Sequence, residues 1–414
     1  MPGVVALRHR NFRLLWFGQL VSTIGDQMQM VVIGWQLYHL TNSAAALGLV
    51  ALFRTVPFMT LALVGGVLAD SMDRRRLMVA TQTLQMAVAV FLVATTVAGV
   101  AGAWSIYVAA FAGGALSAFD GPARQALIPN IVPNEDIANA LTLNTLIRQS
   151  ATIVGPGIGG FCIAFLGPGT TYGINALTFL AVIGALLAMT GVQVRVAGGG
   201  GNLQRVVEGL KFAVSEPLLL LAMLLDFVTR ALGSPRGIMP VFAEDVFHVG
   251  PVGLGWFGSA AAVGAVAGGL VLGARPGIPR PMIWLLSAYV LEGLFNAGFA
   301  HSPNAAAAWA MLCFGGVCNV MGEVLLATLV QLRTPDHLRG RTTALLGMLS
   351  AGGPQFGQME IGLLASIWGP VPAAAFNGLA AASVAAGFTG FAPFRNRLGA
   401  RRMTDLAIET ERTP

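Results

Sequence analysis

Six carboxylates stand inside or at the rim of long apolar stretches of this chain: Asp26, Asp120, Asp226, Glu292, Glu323 and Glu360. Four arginines, Arg54, Arg148, Arg230 and Arg236, lie in similar surroundings. An ionisable group away from water is costly, so it marks a proton site, a charged-ligand site or an ion pair. A carboxyl group is neutral when dry and charged when hydrated, which lets burial couple to proton uptake and release. Asp26 has Gly25 beside it and Gln27 and Gln29 after it. It is a candidate proton or substrate site, with a structural hydrogen bond as the alternative. Asp226 and Arg230 are four residues apart, on one face of a helix, so they read equally as a fixed ion pair or as coupling groups. Glu323 has Asn319 one turn before it, and Glu360 has Gln355 and Gln358 nearby. Glu292 reads as structural. Arg54 and Arg148 are candidates to bind an anionic group or to pair with Asp26 or Glu323.

Other chemistries lack their residues. The three cysteines, Cys162, Cys313 and Cys318, sit in apolar runs and form no CxxC, and the five histidines are scattered. No metal site is expected. There is no Walker loop, HExxH or GxSxG, so neither an enzyme nor direct ATP coupling is expected, and no cofactor.

The elements that carry these groups follow from composition. Of 414 residues, 55% are hydrophobic and 10% charged, against roughly 25% charged in soluble domains. Mean hydropathy is +0.73. Soluble, disordered, coiled-coil and disulfide-scaffold classes are excluded, leaving an all-α, multi-pass membrane protein. Barrel strands would alternate over about 10 residues; here the apolar runs are longer, near the ~20 residues of a membrane helix. Breaks at Pro, Gly and charge clusters give twelve spans: 12–38, 44–69, 77–99, 103–121, 140–166, 170–193, 216–243, 252–274, 281–300, 304–332, 342–367 and 371–393. The basic N-terminus runs into a long apolar stretch with no small-residue cleavage site, so the first span is read as retained.

Basic residues fix an orientation. The N-terminus, 70–76, 122–139, 194–215, 275–280, 333–341 and the C-terminal tail hold 20 of the 24 Lys and Arg, and the alternate connections hold none. Both termini are therefore expected in the cytoplasm of a bacterial cell, with the chain in the inner membrane. The net charge of +6 is spread over many loops and predicts no nucleic-acid partner.

The chain reads as duplicated. Gly65-Gly66 and Gly268-Gly269, Pro133 and Pro335, and Asp26 and Asp226 recur at offsets of 203, 202 and 200. The expected layout is a six-helix bundle over 1–193, a linker over 194–215 with GGGG and a short amphipathic helix, a second bundle over 216–393, and a cytoplasmic tail over 394–414. Inverted or repeated halves with a site between them are the architecture of alternating-access carriers.

Two motifs carry a family resemblance. GGVLADSMDRRR at 65–76 resembles the signature loop of the major facilitator superfamily, Gly-x-x-x-Asp-Arg-x-Gly-Arg-Arg/Lys. Gly66, Asp70, Arg74 and Arg75 match, while Ser71 and Asp73 replace the usual Arg and Gly. GPGIGG at 155–160 resembles the helix-5 motif of proton-coupled antiporters, with Ala151 where the fuller motif has Gly. Gly155, Gly159 and Gly160 would make a flat packing face that Pro156 bends. QLVSTIGDQ around Asp26, PARQALIPNIVPNEDIANAL at 122–141 and TPDHLRGR at 334–341 resemble the branch that holds the enterobactin exporter and macrolide-efflux proteins.

The resemblance implies twelve transmembrane helices in two pseudo-symmetric bundles, with helices 1, 4, 7 and 10 lining a cavity. It implies a latch on the cytoplasmic side: Asp70 facing the start of helix 11 near Arg341, and Arg74 or Arg75 pairing with Asp120. The 268–280 loop lacks an equivalent acid, so the latch should be one-sided. The implied function is proton-driven export of amphipathic small molecules, drugs or siderophore-like compounds, by a monomer surrounded by lipid. The alternatives are an uptake carrier or lysolipid flippase on the same fold, and, from another class, a non-transporting membrane sensor.

Overall fold

The computed structural model describes residues 2–190, 210–274, 277–336 and 338–395. A helix covers each of the twelve apolar segments. We label them α1 (Arg10–Thr41), α2 (Ala44–Ser71), α3 (Arg74–Val97), α4 (Ala103–Ile131), α5 and α6 (the two arms of Ile137–Ala188), α7 (Pro217–Gly233), α8 (Gly250–Gly273), α9 (Pro281–Ala300), α10 (Ala305–Arg333), α11 (Arg339–Trp368) and α12 (Pro370–Gly387). The run Ile137–Ala188 has 52 residues; a straight helix of that length, at ~1.5 Å per residue, would be more than twice the ~30 Å of a bilayer core. It turns at Gly167, where φ is +80° and ψ 168°, a conformation open to glycine, and Pro168 follows. Bonds to α1 show the reversal. Trp16 Nε1 donates to Leu143 O (3.1 Å) and Gln27 Nε2 to Thr152 Oγ1 (2.8 Å), so α5 climbs with α1. Tyr172 donates to Gln36 (2.8 Å), Asn175 to Gln29 (2.6 Å), and Asn11 to Thr190 O (2.7 Å), so α6 descends.

Among the described residues, eight helical stretches are long and apolar enough to cross a membrane, with α5 and α6 counted as one. The long helices outside that set, α1, α4 and α11, carry Asp26, Asp120 with Arg124, and Arg339, Arg341 and Glu360. Side chains such as Phe165, Leu177, Leu270 and Ile367 are 65–74% exposed, the surface a protein presents to lipid tails. The chain is a multi-pass membrane protein. After α7, Ser234 and Pro235 break the regular ladder, and the chain continues through a 3₁₀ turn (Pro235–Ile238) and further short turns to Val246.

The chain divides into two compact units: Met1–Asn202 with Ala243–Ser259, and Leu203–Phe242 with Ala260–Pro414. Residues 194–209 of the expected linker and 396–414 of the tail lie outside the described residues; 210–215 are helical. The first unit has a core of Phe12, Leu15, Met78, Leu127, Ile128, Leu143 and Leu186. The second has Leu219, Met223, Leu285, Tyr289, Leu325, Leu329 and Phe394.

Each unit joins two of its helices by backbone contact through glycine. In the first, a Cβ on Gly65 of α2 would lie 2.1 Å from Ala118 O of α4, and one on Gly114 of α4 2.1 Å from Arg54 O of α2. In the second, Gly264 of α8 faces Cys313 O of α10 at 1.8 Å and Gly316 of α10 faces Ala261 O at 2.0 Å. The same device thus joins the second and fourth helix of each set of six.

The GPGIGG face is a packing seam inside the first unit. A Cβ on Gly155 would meet Gln27 Cβ at 2.5 Å and one on Gly159 would meet Met28 Cα at 3.0 Å, both on α1. Gly160 faces Pro251 O at 2.3 Å, and Gly255 faces Pro156 O at 2.5 Å. Gly157, on the same helix, has nothing within 4 Å of its Cβ position. Gly159→Leu should therefore force α5 from α1 at a cost of about 1–3 kcal/mol, while Gly157→Leu should be neutral. Thermal melting of the two purified variants checks this; equal melting points would remove the seam.

Candidate functional site

The intramembrane charges resolve into separate clusters, one set in each unit. In the first, Asp26 on α1 makes no hydrogen bond and no ion pair within 4.0 Å among the described residues, and lies in Coulombic range of Arg124 on α4 and Arg54 on α2. Arg54 donates instead to the Met30 sulfur, one turn from Asp26 on α1. Arg148 is exposed on α5 and is not brought to Asp26; its carbonyl accepts from Thr152 Oγ1, the hydroxyl that receives Gln27.

Asp120 is buried at 2% exposure. Its carboxylate accepts from Arg124 Nη2 (2.6 Å), Gln82 Nε2 (2.8 Å) and Thr81 Oγ1 (3.1 Å). In this structure the bonds of Asp120 run to these three groups and not to Arg74 or Arg75, the partners expected for the latch. Arg124 is four residues along the same helix, so it reaches Asp120 without any loop being closed. Arg74 Nη1 donates to Ala126 O at 3.0 Å and Arg75 Nη2 to Leu187 O at 2.9 Å. Asp73, standing where the signature loop has glycine, caps α3 by accepting from the Arg75 and Arg76 amides. Gly66 lies in the last turns of α2, and Asp70 one turn further, with its side chain outside the described residues. Arg341 lies in the first turn of α11.

In the second unit, Asp226 is fully buried and saturated. It accepts from Arg230 Nε (2.7 Å), Tyr289 Oη (2.9 Å) and Ser350 Oγ (2.6 Å), which arrive from α7, α9 and α11. Of the two readings of Asp226 and Arg230, the structure holds the ion pair. Arg230 Nη2 extends to Glu323 at 3.7 Å, where the glutamate side chain is 62% exposed. Asn319 serves Glu292 rather than Glu323, donating Nδ2 to its carboxylate at 2.9 Å. Glu360 accepts from Asn377 of α12 at 2.5 Å.

Two groupings escaped the sequence reading. Glu292 lines a cavity of about 120 Å³ together with Arg230, Arg236, Asn296 and Asn319. The signal was a pair of polar positions at helical spacing on consecutive helices, Glu292/Asn296 and Asn319/Glu323. At the end of α1, Tyr38 donates to Asp245, and His39 Nε2 lies 3.8 Å from Glu244. That grouping left no local signal, because its members are about 200 residues apart in the chain.

Solved structures share this fold. A bacterial homologue of the iron transporter ferroportin in an inward-facing state matches with a TM-score of 0.69 at 14% identity, over 92% of this chain and 99% of that one. The D-xylose-proton symporter matches at 0.66 and 11% identity, over 90% and 96%. The chain thus has the fold of these proteins. It belongs to the transmembrane secretion effector family, whose profile matches residues 2–409. It is 29% identical to the multidrug efflux pump Tap of Mycobacterium tuberculosis, over 96% of both chains. It is 24% identical to the enterobactin exporter EntS of Citrobacter koseri, over 89% of both.

Removing one partner of a buried ion pair leaves the other uncompensated and costs about 3–5 kcal/mol. Asp226→Asn should therefore destabilise the purified protein by that order. Asp226→Asn with Arg230→Gln should regain part of the loss, since no lone charge is left. A double-mutant cycle of melting curves measures the coupling; additive losses would show that the pair does not hold the second unit together.

Proposed function

We propose that the protein is a proton-coupled exporter of amphipathic small molecules, working by alternating access and carrying its substrate without chemical change. The observation that carries this reading is Asp26, a carboxylate in a spanning helix with two arginines in Coulombic range and no ion pair among the described residues. A fixed pair such as Asp226–Arg230 holds its charge; Asp26 is free to alternate between protonated and ionised forms as its surroundings dry and wet. The direction of transport is supported by the two relatives, one an efflux pump and one an exporter. The energy source is the proton gradient, and no cofactor is needed.

In this reading the chain sits in a bacterial inner membrane with both termini in the cytoplasm, as the alternation of basic connections requires. Residues 1–193 and 216–393 form its two bundles, 194–215 the linker and 394–414 the tail. Asp70 faces the start of α11, whose partial positive charge favours a carboxylate, and forms a one-sided cytoplasmic latch.

Cells expressing the protein should accumulate less of a fluorescent amphipathic drug than control cells, and a protonophore should abolish the difference. Asp26→Asn should insert normally and lose at least tenfold in proton-driven efflux. Efflux that persists undiminished in Asp26→Asn removes Asp26 from the coupling, and efflux indifferent to the protonophore removes the proton.

A further inference from the structure

We propose that the cavity inside the second unit binds the acidic group of an amphipathic substrate, a carboxylate, sulfonate or phosphate, with Arg236 and Arg230 as its donors. This rests on the export reading and specifies the class of molecule carried.

The cavity has more donors than acceptors. Arg230 commits Nε to Asp226, while its buried Nη2 makes no hydrogen bond among the described residues and has only the exposed carboxylate of Glu323 at 3.7 Å. Arg236 lines the same space from the 3₁₀ turn after α7. Its backbone N–H is bound to Ser234 Oγ; its guanidinium makes no hydrogen bond or ion pair among the described residues. Arg236 is exposed and lines the cavity, and its guanidinium, which keeps its charge in any protein environment, offers that charge to an anion entering there. The one carboxylate lining the cavity, Glu292, is already engaged with Asn319 and lies in Coulombic range of Arg230 and Arg236 alike. The planar fork of arginine matches the paired oxygens of an oxyacid, and such charge-assisted bonds are the strong ones. A volume of about 120 Å³ holds an acid head group and a few waters, each needing about 10–15 Å³ on this measure. It does not hold a whole drug, so the apolar remainder of the ligand lies outside it.

Glu292 makes the binding proton-linked. The groups facing it are Asp226 and Arg230 of α7, Arg236 of the following turn, Tyr289 of its own helix, and Asn319 and Cys318 of α10. Asp226 is neutralised by Arg230, so the negative charge an incoming anion meets is that of Glu292. Protonating Glu292 removes this repulsion. Binding of the acidic ligand therefore strengthens as pH falls; a proton taken up at Glu292 would leave with the ligand, so the inward protons that drive export pass through Asp26 and not through Glu292.

The test uses purified full-length protein in maltoside micelles and two aromatic probes of similar size and fixed charge, 2-naphthalenesulfonate and N-methylquinolinium. Neither probe titrates between pH 5 and 9, so any pH dependence belongs to the protein. Equilibrium dialysis should show the sulfonate bound at least tenfold more tightly than the quinolinium, and more tightly at pH 6 than at pH 8. Arg236→Gln should lose at least tenfold in sulfonate affinity, with Arg236→Lys intermediate. Glu292→Gln should bind the sulfonate at least as well as wild type, with the pH dependence gone. A protein that prefers the quinolinium, or an Arg236→Gln variant that melts normally and binds the sulfonate like wild type, overturns the proposal. Because the readout is binding in micelles, failure of the export reading appears separately, in the cell accumulation assay.

Discussion

A charge placed among apolar helices must find its counter-charge within the protein, because lipid offers none. Most of the polar architecture follows from this constraint. Asp120 and Asp226 meet it in the same way, each with an arginine four residues on and further donors from neighbouring helices. Thr81 and Gln82 of α3 complete Asp120. Tyr289 of α9 and Ser350 of α11 complete Asp226. Each carboxylate thereby fixes the rotation of the helices around it, since a donor turned away would leave a buried acceptor unmet.

Between these polar ties the helices are held by contact at close range. In lipid there is little hydrophobic gain in bringing two apolar helices together, so packing of backbone against backbone carries the association. The glycines of α2 with α4 and of α8 with α10 bring carbonyl oxygens to within 1.8–2.1 Å of where a Cβ would stand. No other residue fits there. The GPGIGG face of α5 uses the same principle on two neighbours at once.

Against this background the unpaired groups stand out. Among the described residues, Asp26 in the first unit has no ion pair, and neither has Arg236 in the second, which lines the cavity of about 120 Å³ with Glu292. Residues that a structure leaves unsatisfied are where a mobile ion, proton or ligand can complete it.

The sequence by itself determined the membrane class, the twelve apolar segments, the repeated glycine pairs and the packing motif of α5. These follow from composition and from spacing along one helix, where 3.6 residues per turn decides which groups share a face. The Asp226–Arg230 pair was legible for the same reason, though spacing alone did not choose between a fixed pair and a coupling group. The saturation of Asp226 by Tyr289 and Ser350 made that choice, and it depends on three helices packing together. Spacing also held the partner of Asp120, four residues away at Arg124, while the signature loop pointed to Arg74 and Arg75. Arg124 is already within reach on the same helix, while Arg74 donates to Ala126 O and Arg75 to Leu187 O. The surroundings of Glu292 are set by tertiary structure alone. Its neighbours Arg230, Arg236 and Asn319 come from two other segments, and Arg236 reaches the cavity only because the chain leaves regular helix after Gly233. Tyr38 and Asp245 meet across about 200 residues. Contacts of this kind are set by how each helix is rotated and packed, and no periodicity within a single helix encodes that.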